Sequence, residues 1–303
     1  MKVAVTGSSG LIGSALLPAL RGDGHEVVTL VRRPPRDPSE IRWDPAAGTL
    51  DAAALAGVDG VVNLAGAGIG DHRWTTAYKQ TLRSSRIDGT RLLAEALAGL
   101  DPRPRVLLSG SAIGWYGTNA GSAGAALDET APPGTGFLAE LARDWENATT
   151  AAQEAGIRVV RVRTGIVLSG RGGTLQRLLP IFRRGAGGRL GSGRQWLSWI
   201  SLADTVDALC FLLEADGVRG PVNLVAPTPV TNAEFTSALA RTLQRPAFAQ
   251  VPRFALRLAL GEFADEGPLA SQRLAPATLV DAGFRFNHSD LATALADAVH
   301  RDA

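Results

Sequence analysis

Lysine is all but absent from this 303-residue chain, which carries it only at Lys2 and Lys79, and tyrosine occurs only as Tyr78 and Tyr116. Chemistry that needs a phenol and an amine on one helix face has almost nothing to draw on. The single cysteine, Cys210, excludes an intrachain disulfide and lies in an apolar helical run, Ala208 to Leu213, where it reads as packing. No apolar stretch is long enough to span a bilayer, and Lys2 opens straight into a strand pattern without a basic-then-apolar leader. The four histidines, His25, His72, His288 and His300, are scattered without ligand spacing, so no metal site is expected. Ser109-Gly110-Ser111 does not match the serine-hydrolase elbow. Acids and bases nearly balance, at a formal net charge of +2, so neither nucleic acid nor an acidic membrane surface is implied. A cytoplasmic protein with a small-molecule substrate fits these exclusions.

What is present begins with Thr6-Gly7-Ser8-Ser9-Gly10-Leu11-Ile12-Gly13, between a short apolar run and an apolar-periodic stretch. Strand, glycine turn and helix in that order hold a dinucleotide pyrophosphate. Gly7 permits the turn, Gly10 admits the phosphates close to the backbone, and Gly13 lets helix and strand pack closely. The helix start offers unpaired N–H groups and a positive dipole end to the anion.

Residues 1 to about 165 alternate β-branched runs with amphipathic stretches. Strands are expected at Lys2–Thr6, Glu26–Val31, Gly60–Leu64, Val106–Ser109 and Arg158–Arg163. Helices are expected at Leu11–Gly22, from about Thr75 to Ala98, and at Gly136–Ala155. This is the pattern of an α/β protein, a Rossmann-type doubly wound parallel sheet with both faces covered. A dinucleotide-binding domain over 1–165, with segments returning at about 200–225, would precede a smaller substrate-side lobe over 166–303. In that lobe a helix follows Asp204, whose carboxylate suits a helix N-terminus. Val222–Val225 reads as a strand, Thr231 or Asn232 caps a helix over Glu234–Leu243, and Leu291–His300 is helical.

The second strand ends Thr29-Leu30-Val31-Arg32-Arg33, without the carboxylate that grips ribose hydroxyls in NAD-selective folds. A guanidinium fork there suits a 2′-phosphate, which favours NADP, with Arg32 the first choice and Arg33 the second.

These residues resemble the extended short-chain dehydrogenase/reductase superfamily. The likeness continues through Val61-Val62-Asn63-Leu64-Ala65-Gly66, Gly89-Thr90, Ser109-Gly110-Ser111-Ala112 and Tyr116-Gly117. Asn63-Leu64-Ala65-Gly66-Ala67, Ser85-Arg86, Gly191-Ser192-Gly193-Arg194-Gln195-Trp196, Val222-Asn223-Leu224, Arg245-Pro246, Val251-Pro252, Gly261-Glu262 and Ala282-Gly283-Phe284 narrow it further. They are similar to an atypical epimerase-like family with its own C-terminal segment, often labelled nucleoside-diphosphate-sugar epimerases or cell-division inhibitors. The resemblance implies cofactor contacts from Leu11, Ile12, Arg32, Leu64, Ala65 and Arg86, with Gly66 in the channel floor and Val167 on the nicotinamide side. A plain helix-surface arginine is the alternative for Arg86.

Extended relatives pair a tyrosine with a lysine four residues later, whose charge lowers the phenol's pKa. Here Tyr78 is followed at that spacing by Leu82, and Tyr116 by Ala120. If Glu146 matches the glutamate that follows the dyad in relatives, Leu138 and Ala142 stand in its place; a shift of one gives Phe137 and Leu141. The dyad is absent. What survives is Ser111, matching the serine that bonds the reacting carbonyl, or else a strand-end serine serving the backbone. Tyr116 is nominated as a substitute acid, with a packing role as its alternative. Aligned by the flanking motifs, Leu197 falls where sugar-nucleotide enzymes carry a diphosphate-clamping arginine. Trp196 and Trp199 would then form an apolar wall, unless Trp199 is core. The expectation is an NADP-dependent oxidoreductase or epimerase-like enzyme, against a regulatory NADP sensor without turnover. The long second and third helices are the pair many relatives use to dimerise, so a homodimer is one expectation; apolar content alone does not decide it.

Overall fold

The apolar run ahead of the glycine turn forms strand β1 (Lys2–Thr6), in which Val3, Ala4 and Val5 are wholly buried. The computed structural model describes residues 1–121 and 124–300. Seven further strands join β1: β2 (Glu26–Val31), β3 (Glu40–Asp44), β4 (Thr49–Leu50), β5 (Gly60–Asn63), β6 (Val106–Ala112), β7 (Arg158–Thr164) and β8 (Gly220–Leu224). Their order across the sheet is β8-β7-β6-β5-β1-β2-β3-β4. β1 pairs in parallel with both β2 and β5, β2 with β3, and β5 with β6, while β3 and β4 pair antiparallel. Because the order reverses beside β1, the loops leaving β1 and β5 open on one crevice, the ligand-binding place of such sheets. The continuous burial of β1, β5 and β6 reflects cover on both faces. The expected Rossmann-type fold is the one found.

Helix α1 (Leu11–Gly22) follows the turn, and helix α2 (Thr76–Ala98) is capped where the Thr75 hydroxyl accepts the Tyr78 N–H at 3.1 Å. The buried stripe of α2, Leu82, Arg86, Gly89, Thr90, Leu93 and Leu97, has helical spacing, and Arg86 is its one cation. The single helix expected over Gly136–Ala155 is instead α3 (Phe137–Asn147) and α4 (Thr150–Glu154). Thr149 breaks it: its hydroxyl donates to the Glu146 carbonyl at 2.7 Å and competes with the helical ladder. Strands β3 and β4 escaped the sequence reading because Glu-Ile-Arg-Trp-Asp offers only two apolar residues. Ile41 and Trp43 nevertheless bury against Val28, Leu30, Leu93 and Leu97.

The chain forms two compact units. The first comprises Met1–Ser111, Leu141–Val162 and Val206–Val222; the second comprises Ala112–Glu140, Arg163–Thr205 and Asn223–Ala303. The polypeptide therefore enters the second unit already at Ala112, well before residue 165.

The second unit packs helix α5 (Gly173–Arg183), helix α7 (Asn232–Leu243) and the Leu291–His300 helix around Leu175, Phe182, Trp199, Leu239 and Leu295. Trp199 is 1% exposed, and its Nε1 donates to the Thr228 carbonyl at 2.9 Å. Helix α6 (Leu202–Glu214) lies between α5 and α7 in the chain and carries Cys210, whose thiol is pushed up to about 12 by burial. That is a packing cysteine. Asp204 does more than answer a helix dipole. Wholly buried, it accepts the Ser201 hydroxyl at 3.0 Å and the backbone N–H groups of Asn287 at 2.7 Å and His288 at 3.0 Å.

The cap of α7 is Thr231, in a capping box in which its hydroxyl accepts the Glu234 N–H and the Glu234 carboxylate accepts the Thr231 N–H. Thr231→Ala should destabilise the protein by about 1 kcal/mol, read as a lowered midpoint in urea at unchanged slope. Among the described residues no helix is long and apolar enough to cross a membrane.

Candidate cofactor and catalytic site

The glycine turn is dictated by close backbone packing in the first unit. Gly7 has φ of +66°, and a Cβ there would stand 2.7 Å from the Leu64 carbonyl. A Cβ on Gly13 would stand 2.3 Å from the Gly7 oxygen, so both positions demand glycine. The Gly10 N–H closes the turn onto Gly7 O at 3.0 Å, and no side chain caps α1. The first N–H groups of the helix, at Leu11, Ile12 and Gly13, are thus left for an anion.

Beside the turn, a string of buried side chains sets the course of Leu64-Ala65-Gly66. The Trp145 indole and the Asn63 amide donate to the Thr90 hydroxyl at 2.9 and 2.8 Å, and Thr6 donates to Asn63 Oδ1 at 2.7 Å. The Thr6 hydroxyl then accepts the N–H groups of Leu64 and Ala65 at 3.0 and 3.1 Å. These bonds hold the loop after β5 against the glycine turn.

Arg86 resolves the alternative left open for it: it is 8% exposed and no helix-surface arginine. Its guanidinium lies 5.2 Å from the centre of the Trp145 ring, and a Cβ on Gly66 would stand 3.1 Å from its Cζ. Among the described residues it makes one hydrogen bond, from Nη1 to the Leu82 carbonyl at 3.3 Å, although the group has five N–H donors. Burial lowers its pKa to about 10, so it stays charged at neutral pH. A buried cation without a carboxylate, beside a glycine loop and an uncapped helix, fits the pyrophosphate and ribose oxygens of a dinucleotide.

The two arginines after β2 have different surroundings. Arg33 lays its fork on Glu40, with Nη1 to Oε2 at 2.7 Å and Nη2 to Oε1, and Glu40 also accepts the Arg36 N–H at 2.7 Å. These bonds hold the Glu40 carboxyl down at about 2. Arg32 is exposed and has no hydrogen bond or ion pair among the described residues.

Near the end of β6, Ser111 is 4% exposed and donates to Glu146 Oε1 at 2.7 Å; Glu146, on α3, is 5% exposed. Position 146 served the sequence reading only to locate the lost dyad. The signal that could have found it is a carboxylate following Trp145 on a face that buries Leu141, Ala142 and Trp145. Ala142, at one of the dyad's places, is buried and inert.

Tyr116 belongs to the second unit, where its hydroxyl donates to Asn223 Oδ1 at 2.7 Å and accepts from Arg163 Nη1 at 2.9 Å. The Arg163 guanidinium lies 3.9 Å from the centre of the Trp115 ring, and Glu129 accepts the Asn223 N–H at 2.9 Å. Burial raises the phenol's pKa despite the Arg163 charge, which moves it away from the tuning a general acid needs. Val167 lies in the strand Ile166–Leu168, paired with Ile200. Trp196 is half-buried beneath Arg273, whose guanidinium is 4.3 Å from the ring centre.

A glycine turn on a Rossmann sheet, a buried cation beside it and a buried serine bonded to a carboxylate fit a nucleotide-dependent epimerase or dehydrogenase class. The chain belongs to the NAD dependent epimerase/dehydratase family, matched over residues 3–225, and residues 251–298 match a domain of unknown function, DUF1731. The family and separate C-terminal segment expected from the motifs are both present. The chain is similar to an epimerase family protein of Mycobacterium bovis, 50% identical over 299 residues, which cover 99% of this chain and 98% of that protein. It is also similar to the human epimerase family protein SDR39U1, crystallised with NADPH, at 33% identity and a TM-score of 0.90 over 99% of this chain and 100% of that one. A nucleoside-diphosphate sugar epimerase from Corynebacterium glutamicum is 38% identical with a TM-score of 0.82, covering 100% of this chain and 59% of that one.

Proposed function

We propose that the protein binds NADPH and catalyses hydride transfer to or from a small carbonyl compound, with Ser111 and Glu146 carrying the proton in place of the missing dyad. The observation that carries this reading is the buried 2.7 Å bond between Ser111 and Glu146, at the end of the strand where superfamily members bind the reacting oxygen. The human relative's crystallisation with NADPH supports the choice of nucleotide, as do Arg32 and Arg86. Bound NADPH supplies the hydride. Gly7, Gly13 and the start of α1 hold the pyrophosphate, Arg86 neutralises oxygens beside Gly66, and Arg32 takes the 2′-phosphate.

When an alcohol is oxidised, its proton passes to Ser111 Oγ as the serine's own proton passes to Glu146. Carbonyl reduction runs the relay backwards, from the protonated carboxyl through the hydroxyl to the new alkoxide. The relay needs no phenol, consistent with the Tyr116 hydroxyl being engaged by Asn223 and Arg163. A cytoplasmic enzyme, dimeric through its long helices, accompanies this reading. A regulatory NADPH-binding protein without turnover is the second reading, favoured by the absent dyad.

A panel of aldehydes and ketones, followed by nicotinamide absorbance, tests the proposal. Oxidation of NADPH should exceed that of NADH by at least about tenfold at subsaturating cofactor, the ratio that roughly 1.4 kcal/mol at one phosphate supplies. Tight NADPH binding with no oxidation across the panel would favour the regulatory protein.

A further inference from the structure

The core of the second unit contains a cavity of about 80 Å³, with Leu178, Phe182, Leu197, Trp199 and Phe235 in its wall and no charged residue in its lining. Three polar side chains, Thr174, Asn232 and Thr236, interrupt the apolar surface. Asn232, at the start of α7, is 5% exposed and lines the cavity. Its Oδ1 accepts the Leu190 N–H at 2.8 Å, which fixes the orientation of the amide. Its Nδ2 donates to no acceptor among the described residues, yet it is not sealed away from a solvent-sized group.

We infer that this cavity is a binding site for an uncharged, compact hydrocarbon group bearing a carbonyl oxygen, which accepts from Asn232 Nδ2 while its carbon skeleton lies among Leu178, Phe182, Trp199 and Phe235. Three features set the ligand class. The volume is about half that of an engineered apolar cavity, about 150 Å³, that accepts benzene, so the site takes a compact group smaller than benzene. The uncharged lining cannot repay the desolvation of a phosphate or diphosphate, which excludes the charged half of a sugar nucleotide from this cavity. The amide whose orientation the Leu190 N–H fixes selects a ligand with an acceptor over a plain alkane. As a statement about substrate, the inference rests on the carbonyl-compound reading above; as a statement about binding, it stands alone and is tested without NADPH.

Butanone is the probe, and the indole N–H resonance of Trp199, assigned by its loss in Trp199→Phe, is the readout. Saturable movement of that resonance is expected, together with its loss in Leu178→Trp, which fills the cavity. Asn232→Asp keeps the acceptor for Leu190 and removes the free donor, so it should weaken butanone binding by at least tenfold. Thermal unfolding of both variants shows that they are folded. An unmoved Trp199 signal would overturn the site, as would movement that persists in Leu178→Trp. Unchanged affinity in folded Asn232→Asp would overturn the carbonyl assignment, and UDP-glucose moving the same resonance more strongly than butanone would overturn the uncharged class. NADPH affinity measured on the same samples separates failure here from failure of the cofactor reading.

Discussion

Replacing Arg32 with alanine should remove most of the protein's preference for NADPH over NADH while leaving NADH affinity nearly unchanged. A charge-assisted hydrogen bond to phosphate contributes roughly 1.5–3 kcal/mol, so the expected loss in NADPH affinity is about 10- to 100-fold. The exposed position places it toward the lower end, and the gap should narrow as salt rises. Arg33→Ala is the informative contrast. Its guanidinium already lies on Glu40, so its loss should change NADPH affinity by less than about threefold. Fluorescence titration of both nucleotides at low and high salt measures these quantities. Equal affinity of the unsubstituted protein for the two nucleotides would sink the assignment, as would a gap that survives Arg32→Ala.

The second large effect concerns the proton. Ser111→Ala and Glu146→Gln should each lower turnover by roughly 100-fold with NADPH affinity unchanged, the usual weight of a positioned acid or base. Glu146→Gln retains an acceptor for the serine and removes only the group that takes the proton, so failed packing does not explain its loss. If the two residues form one relay, the double variant should be little worse than either single one, because the first change already breaks the chain. Independent multiplication of the two losses would mean that they act separately. Should Tyr116→Phe lower turnover while Ser111→Ala does not, the phenol carries the proton and the relay is wrong.

Much of the fold was legible because its signals are local. The turn through Gly7 and Gly13, the buried runs of β1 and β5, and the 3.6-residue stripe of α2 are written in neighbouring residues. The break between α3 and α4 was not legible, because Thr149 ends the helix through its own hydroxyl while good helix formers flank the short stretch 147–150 on both sides. Strand β3 was missed for the opposite reason: Glu40, Arg42 and Asp44 read as loop, and pairing with β2 overrides that local preference.

Composition, periodicity and turn chemistry by themselves determined a Rossmann sheet, a glycine turn between strand and helix, a basic end to β2 and the loss of the tyrosine–lysine pair. Only the tertiary structure decided which arginine is tied to a carboxylate, because pairing of β2 with β3 brings Glu40 onto Arg33 and not onto Arg32. It also decided that Ser111 meets Glu146, 35 residues away, and that Asn232 faces an apolar cavity. The physical reason is the same throughout. Backbone preference is settled among neighbours in the chain, whereas the state of a buried charge or amide depends on partners that only packing delivers.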